Sequence, residues 1–280
     1  MNIIKTAKEF VDWKSKTNSS LGFVPTMGAL HEGHLSLIKK SNKLCGLTVV
    51  SIFINPAQFA QHEDLGSYPK TLEHDIESLN RLNVDILFLP NEQEMYVNVP
   101  DIEIPPSDLF DKLEGKSRPH FFYGVTKIVS KLFNVIKPSH AFFGQKDAQQ
   151  VIIIREMIAK MNYSIDLISC PTIRDKNGLA LSSRNQYLSA AEKKEASIFS
   201  NVLLQIINSI KKGELNSSIL KNKFENHLSQ SPKLTLDYIS IACKKTLNEV
   251  DIINSDVLIS AAVFFNDVRL IDNHSYHHST

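Results

Sequence analysis

The sequence predicts an α/β protein: a parallel sheet covered by helices on both faces, then a smaller α+β domain with an antiparallel sheet. Three observations carry this. Short apolar runs recur at Leu21–Val24, Leu47–Ile54, Val84–Leu89, His140–Phe143 and Ile165–Cys170, with the near-continuous hydrophobicity of strands buried on both faces. Helical patterns separate them, the alternation that builds parallel sheets. After Pro171 the alternation stops, which sets the boundary between residues 1–172 and residues 173–280.

The first strand, Leu21–Val24, runs into Pro25-Thr26-Met27-Gly28-Ala29-Leu30-His31-Glu32-Gly33-His34, and the helical pattern Leu35, Leu37, Ile38 opens at once. Strand, tight turn and helix N-terminus in that order make the place where open α/β sheets bind phosphates, since the first N–H groups of the helix lack partners and its dipole favours an anion. His31 and His34 add two donors, and the glycine between them lets the backbone approach a ligand closely. Zinc is the rival reading, but it needs three or four ligands; neither a His-Glu-x-x-His pattern nor paired cysteines occur. A Walker lysine motif and a Gly-x-Gly-x-x-Gly fingerprint are also absent from the sequence.

Helix Leu35–Cys45 leads to the second strand, Leu47–Ile54, which ends in Asn55-Pro56-Ala57-Gln58-Phe59. Asn-Pro is a turn signal. Gln58 has no evident structural duty, and its neutral amide, which donates and accepts, suits a ligand bearing hydroxyls and a carboxylate. Helix Leu72–Leu82 and strand Val84–Leu89 follow, and Arg118 on a loop is a further candidate anion contact. In helix Val125–Ile136, Ile128, Leu132, Val135 and Ile136 form one apolar stripe. Strand His140–Phe143 then runs into Gly144-Gln145-Lys146-Asp147-Ala148-Gln149-Gln150 and helix Gln149–Met161. A lysine at a helix N-terminus opposes the helix dipole, and Lys146 is read as a contact for a bound anion.

In the second domain the turn-like Asp175-Lys176-Asn177-Gly178 precedes Leu179-Ala180-Leu181-Ser182-Ser183-Arg184-Asn185. Two hydroxyls and a guanidinium make a phosphate cradle, because arginine holds two oxygens at once. Ser189 and Glu192 form a capping box, and the helix that follows carries Phe199, Val202, Leu203, Ile206 and Ile210 on one face before ending near Gly213. Leu236–Ala242, Val257–Phe265 and Val268–Ile271 read as strands with few helices among them, the last two joined at Asn266-Asp267. His274, His277 and His278 are read as a solvated tail.

Composition sets the limits. The chain has 280 residues, 42% of them hydrophobic, and Lys+Arg 31 against Asp+Glu 30 leave a net charge of +1. No field of that size attracts nucleic acid or an anionic membrane. Cys45, Cys170 and Cys243 lie far apart and read as reduced thiols of a cytoplasmic protein. Met1–Lys16 has no signal-peptide core, and no apolar run is long enough to span a bilayer. His31, His34, Lys146 and Ser182-Ser183-Arg184 together describe a triphosphate site without a covalent nucleophile paired with its own base. Such a site works by positioning and charge stabilisation, as in phosphoryl or nucleotidyl transfer.

These motifs resemble those of the pantoate–β-alanine ligase (pantothenate synthetase) family, within the His-x-Gly-His nucleotidylyltransferase superfamily. The resemblance runs nearly end to end. It rests on Pro25-Thr26-Met27-Gly28 through His34, Asn55-Pro56 with Gln58-Phe59, Asp64-Leu65 with Tyr68-Pro69, Phe143-Gly144 with Lys146-Asp147 and Gln149-Gln150, Leu179 through Arg184, and Arg269-Leu270-Ile271-Asp272-Asn273.

The resemblance implies a Rossmann-like ATP- and pantoate-binding domain, a smaller domain that closes over the nucleotide, Mg²⁺ and a homodimer. The implied reaction joins (R)-pantoate to β-alanine through pantoyl adenylate. It assigns Met27, Gly28, Ala29, Leu30, His31, Glu32, Gly33 and His34 to the ATP site, with His31 and His34 on the phosphates and His34 as the proton donor. Gly144, Gln145, Lys146 and Asp147 contact ATP, with Lys146 on its phosphates. Ile173 touches the adenine, and Leu181, Ser182, Ser183 and Arg184 close on the phosphates; Gln58 and Gln150 bind pantoate, Gln58 also lying near β-alanine. His31, His34, Lys146 and Arg184 form the catalytic set.

Three positions depart from the family pattern. Gln145 replaces a glutamate, Arg118-Pro119-His120-Phe121-Phe122 replaces Arg-Pro-Gly-His-Phe, and Lys70 replaces an arginine after Tyr68-Pro69. Activity is expected to survive them, because the main phosphate and pantoate residues remain. The rival readings are another His-x-Gly-His nucleotidylyltransferase with a phosphorylated acceptor, and a nucleotide-binding protein without turnover.

Overall fold

A computed structural model describes residues 1–60 and 63–278. They divide into two compact units, residues 1–110 with 118–172 and residues 111–117 with 173–280.

The first unit contains β1 (Asn2–Ile4), α1 (Ala7–Lys14), β2 (Leu21–Thr26), α2 (Glu32–Leu44), β3 (Leu47–Ile52), α3 (Leu72–Arg81) and β4 (Ile86–Phe88). The single turn α4 (Glu114–Ser117) counts with the second unit. The first unit resumes with α5 (Phe121–Ile136), β5 (His140–Gly144), α6 (Ala148–Lys160) and β6 (Asp166–Cys170). All six strands are parallel, in the order β1-β4-β3-β2-β5-β6. Successive residues of a strand enter opposite cores. Phe23, Val49, Ile86 and Phe143 join the residues of α1, α5 and α6, while Val24, Val50, Leu87 and Phe142 join those of α2 and α3. Covering both faces is why the strands read as unbroken apolar runs.

The sheet begins earlier than the sequence reading places it. β1 has three residues, only one of them buried, so it shows no alternation to read. Thr6 caps α1 with a full capping box to Glu9, and Phe10 is buried behind it. α5 starts four residues upstream of Val125, where His120 at φ 67 turns the chain into the helix and Phe122 adds to the buried face. A π-helical turn at Glu94–Asn98 was not anticipated either.

The second unit packs α7 (Ala190–Lys211) and α8 (Ser217–Leu228) on a three-stranded antiparallel sheet of β7 (Leu234–Cys243), β8 (Val257–Phe265) and β9 (Val268–Tyr276), in that order. Phe199, Leu203, Ile206, Phe224, Ile241, Ile259 and Val263 form its core. The Ser189 cap is present, and α8, capped by Asn216 on Ile219 N, adds a helix the sequence reading left out.

β9 runs to Tyr276, five residues beyond the expected strand, and this corrects the reading of a histidine tail. His274 pairs with Ile259 inside the ladder. The His277 Nδ1 lies 2.8 Å from Asp256 Oδ2, and His278 N donates to Asp256 Oδ1 at 3.0 Å. Polar residues stay in this strand because their backbone is paired and because Asp272, buried, receives a bidentate pair from Arg174 at 2.6 and 2.8 Å. Arg269 on the same strand reaches Glu114 Oε1 at 2.7 Å, tying α4 to this sheet. Among the described residues no helix is long and apolar enough to cross a membrane.

Candidate active site

β2 lies between β3 and β5. The chain leaves β2 for β3 on one side and returns at β5 on the other, so the strand order reverses there. Ligands of open parallel sheets bind outside the carboxyl ends of the strands at such a point. Three segments start from these ends: Met27 to His34 after β2, the turn Pro56–Gln58 after β3, and the turn Gln145–Asp147 after β5.

The first loop is fixed by buried polar groups. Thr26 Oγ1 donates to Ser51 O at 2.8 Å and accepts from Gly28 N at 3.2 Å. Gly28 has φ +83 and Ala29 φ 51, a left-handed pair that costs the alanine conformational energy. The carboxylate of Asp75, only 1% exposed, offsets that cost. It accepts from Ala29 N at 2.9 Å, Leu30 N at 2.8 Å and the Thr71 hydroxyl at 3.2 Å. Sequence reasoning missed Asp75. Its signal was an acidic residue one helical turn before Leu79, on the face of α3 that is buried.

His31 caps α2. Its Nδ1 accepts from Gly33 N at 3.1 Å, and His34 Nδ1 accepts from His31 N at 3.4 Å, a capping box built from imidazoles. A backbone N–H can only donate, so each neutral ring carries its proton on Nε2. The rings lie 4.1 Å apart. A Cβ on Gly33 would stand 2.7 Å from His31 Cε1 and 2.8 Å from Nδ1, so glycine is what allows the ring to fold back on the helix. Burial, then the charge of Lys146, depresses the pKa of His31 to about 4. Burial, then His31 and Lys146, holds His34 well below the ordinary histidine range. Both rings are therefore neutral donors at physiological pH.

Gln58 ends the turn after β3. Its Oε1 accepts from Asn55 Nδ2 at 3.0 Å, and its Nε2 faces Met27 Sδ at 3.0 Å. Helix α5 presses on this turn at Gly124, where any Cβ would meet Ala57 O at 2.2 Å. Arg118, expected as an anion contact, is engaged with the protein's own carboxylate: Nε and Nη2 bind Glu63 at 2.6 Å each. Its Nη2 also reaches Gln58 O at 3.2 Å, and the guanidinium stacks 3.7 Å from the Phe121 ring centroid.

Lys146 sits in the turn between β5 and α6, its Nζ 3.4 Å from Asp147 Oδ1. Gln145, where the family pattern has an acid, accepts from Ser169 Oγ at 2.7 Å. The two glutamines that open α6 have different duties. Gln149 is buried and donates to Leu109 O at 3.0 Å, whereas Gln150 is half-buried. Among departures from the pattern, His120 and Lys70 are exposed.

In the second unit, Leu181 N donates to Ile173 O at 2.9 Å. Asp175 organises the turn before it, accepting from Asn177 N at 2.8 Å and Leu179 N at 3.0 Å. Ser182 caps the 3-10 turn Ser183–Tyr187 through Arg184 N. Ser183 is buried and Arg184 half-buried.

A doubly wound parallel sheet with a His-x-Gly-His helix start at its switch point and a lysine turn on the adjacent strand is the arrangement expected from the resemblance to the His-x-Gly-His nucleotidylyltransferase class. Within it, residues 2–275 match the family model of pantoate-beta-alanine ligase, and the chain belongs to that family. It is 41% identical to the pantothenate synthetase of Clostridium botulinum (strain Loch Maree / Type A3) over 280 residues, 99% of each chain. It is 44% identical to that of Fervidobacterium nodosum over 269 residues, 96% of this chain and 94% of the relative. The pantothenate synthetase structure from Thermus thermophilus superposes with a TM-score of 0.91 at 34% identity, covering 98% of this chain and 99% of that one. A pantoate-beta-alanine ligase from Francisella tularensis, complexed with beta-gamma ATP and beta-alanine, matches with a TM-score of 0.79 at 35% identity over 98% and 97% of the chains.

Proposed function

We propose that this chain condenses (R)-pantoate with β-alanine at the expense of ATP, giving pantothenate, AMP and pyrophosphate through pantoyl adenylate. The observation that carries this is the meeting of two neutral imidazole donors, Lys146 and the Gln58 amide at the switch point of a sheet whose family makes this bond.

In the first step a carboxylate oxygen of pantoate attacks the α-phosphorus of ATP, the bond to the bridging oxygen breaks, and pyrophosphate departs. Charge grows on the leaving oxygens. The Nε2–H groups of His31 and His34 and the Lys146 ammonium stabilise it, the two rings being held in place before the reaction by the helix cap. His34 holds its proton at Nε2 and donates to the phosphate oxygens without needing a positive charge.

Gln58 and Gln150 hold pantoate. Met27 to Gly33 and Gly144 to Asp147 line the nucleotide. From the second unit Ile173 contacts the adenine, and Leu181, Ser182, Ser183 and Arg184 bind toward the phosphates. In the second step the amine of β-alanine attacks the acyl carbon, the C–O bond to AMP breaks, and the amine loses a proton. This step needs mainly a nearby amine and the exclusion of water.

Mg²⁺ fits this site as a passenger of the nucleotide. No cluster of three histidines, cysteines or carboxylates occurs among the described residues, and Mg²⁺ commonly binds substrate phosphates and water with few protein ligands. Bound there, it would neutralise phosphate charge in the transition state. The protein works as a cytoplasmic homodimer in this reading.

The test is pantoate-dependent exchange of labelled pyrophosphate into ATP, with Mg²⁺ present and β-alanine absent. Exchange that requires pantoate is the expected result. Absence of exchange in protein that binds ATP would overturn the proposal.

A further inference from the structure

Gln58 can serve a ligand in two orientations that differ only by a flip of its amide, and its neighbours decide between them. Asn55, buried at the end of β3, sits between three groups. The Tyr96 hydroxyl donates to Asn55 Oδ1, and Asn55 Nδ2 donates to Gly124 O at 3.1 Å and to Gln58 Oε1 at 3.0 Å. A carbonyl can only accept, so Gly124 O fixes Nδ2 as the end of the Asn55 amide that faces it and Gln58, and leaves Oδ1 to accept from the Tyr96 hydroxyl. With Oε1 engaged by Asn55, Gln58 turns its NH2 toward Met27 Sδ, a weak acceptor at 3.0 Å. An incoming oxygen is a better partner for those protons than sulfur.

Tyr96 is itself held. It lies in the π-helical turn Glu94–Asn98, and Lys131, wholly buried in α5, donates to Met95 O and Val99 O at 2.7 Å each. The Lys131 ammonium also stands 5.3 Å from the Tyr96 ring centroid and 2.7 Å from Asp101 Oδ1. Burial, then Glu92 and Asp101, pushes the Tyr96 hydroxyl up to about 12, which keeps it protonated and donating.

We propose that Tyr96 is a positioning residue for pantoate. Through Asn55 it locks the Gln58 amide so that its NH2 faces the carboxylate and hydroxyl oxygens of the substrate. The inference rests on the reading of Gln58 as a pantoate contact. Tyr96→Phe keeps the ring, its packing and its contact with Lys131, and removes only the hydroxyl that holds Asn55 Oδ1 in place.

The experiment is steady-state kinetics on the full chain carrying Tyr96→Phe, Gln58→Ala or both, with KM measured separately for pantoate and for ATP and folding checked by thermal melt. Loss of one orienting hydrogen bond should raise the pantoate KM about five-fold or more. The ATP KM should not move, and the double variant should match Gln58→Ala alone. A normal pantoate KM in Tyr96→Phe, alongside a raised one in Gln58→Ala, overturns the inference and leaves the functional reading intact. Additive effects, or an ATP KM that rises equally, overturn it as well, because Tyr96 would then act on something other than Gln58. A normal pantoate KM in Gln58→Ala removes the functional reading of that residue and this inference with it.

Discussion

Gly33→Ala separates the observed task of the His31 ring, capping a helix, from the proposed one, donating to a ligand. The added Cβ would lie 2.7 Å from Cε1 and 2.8 Å from Nδ1 of His31. Carbon atoms do not approach so closely, so the ring must swing away. It then gives up the 3.1 Å bond from Gly33 N and the 4.1 Å packing on His34.

Two stability terms oppose each other. Losing an N-cap costs about 1 kcal/mol, while replacing glycine with alanine in a helix gains up to about 1 kcal/mol. Net stability should therefore change little. Activity should not survive so well, since a catalytic donor displaced by about 1 Å can cost about a hundred-fold in rate. Pantoate-dependent pyrophosphate exchange and a urea titration, run side by side, read the two effects. Gly66→Ala, where nothing among the described residues lies within 4 Å of the added Cβ, is the control and should exchange normally. Exchange by Gly33→Ala at the parent rate would refute the claim that the folded-back His31 ring is the working geometry.

Two more expectations follow from buried charge. His31 resists protonation down to about 4, whereas an unfolded histidine takes a proton near its ordinary value of 6.5. Across that window the unfolded chain binds more protons, so stability is lost as pH falls. His31→Asn keeps a capping side chain and removes this titration, so its urea midpoint should fall less between about pH 7.5 and about pH 5 than the parent's. An equal fall in both proteins would contradict the assignment. Lys131→Met leaves two buried carbonyls, Met95 O and Val99 O, without their donor. At about 1–3 kcal/mol for each unsatisfied group, the unfolding free energy should drop by about 2–6 kcal/mol; unchanged stability would show that the ammonium's own desolvation cancels its hydrogen bonds.

The strands and the apolar stripe of α5 were legible because burial on one or both faces writes a period into the sequence. His31, Gly33, His34, Gln58 and Lys146 were legible because each follows an apolar run at a strand-to-helix turn. A three-residue edge strand such as β1 is too short to carry a period, and the polar end of β9 carries the wrong one. The strand order was not in the sequence at all. Contacts between distant segments set it, and it alone puts the ends of β2, β3 and β5 side by side.

The same holds for the polar groups that hold the site. Asp75 meets Ala29 and Leu30 across more than forty residues, and Arg118 meets Glu63 across 55. Tyr96 meets Asn55 across 41. Hydrogen bonds of that kind have no sequence spacing, because they are satisfied only after the chain has folded and water has been excluded. Sequence by itself determined the class of fold and placed the candidate site residues at the turns that follow its strands. The tertiary structure decided how those residues are oriented: which imidazole nitrogen carries the proton, which end of an amide points outward, and whether an arginine is already paired.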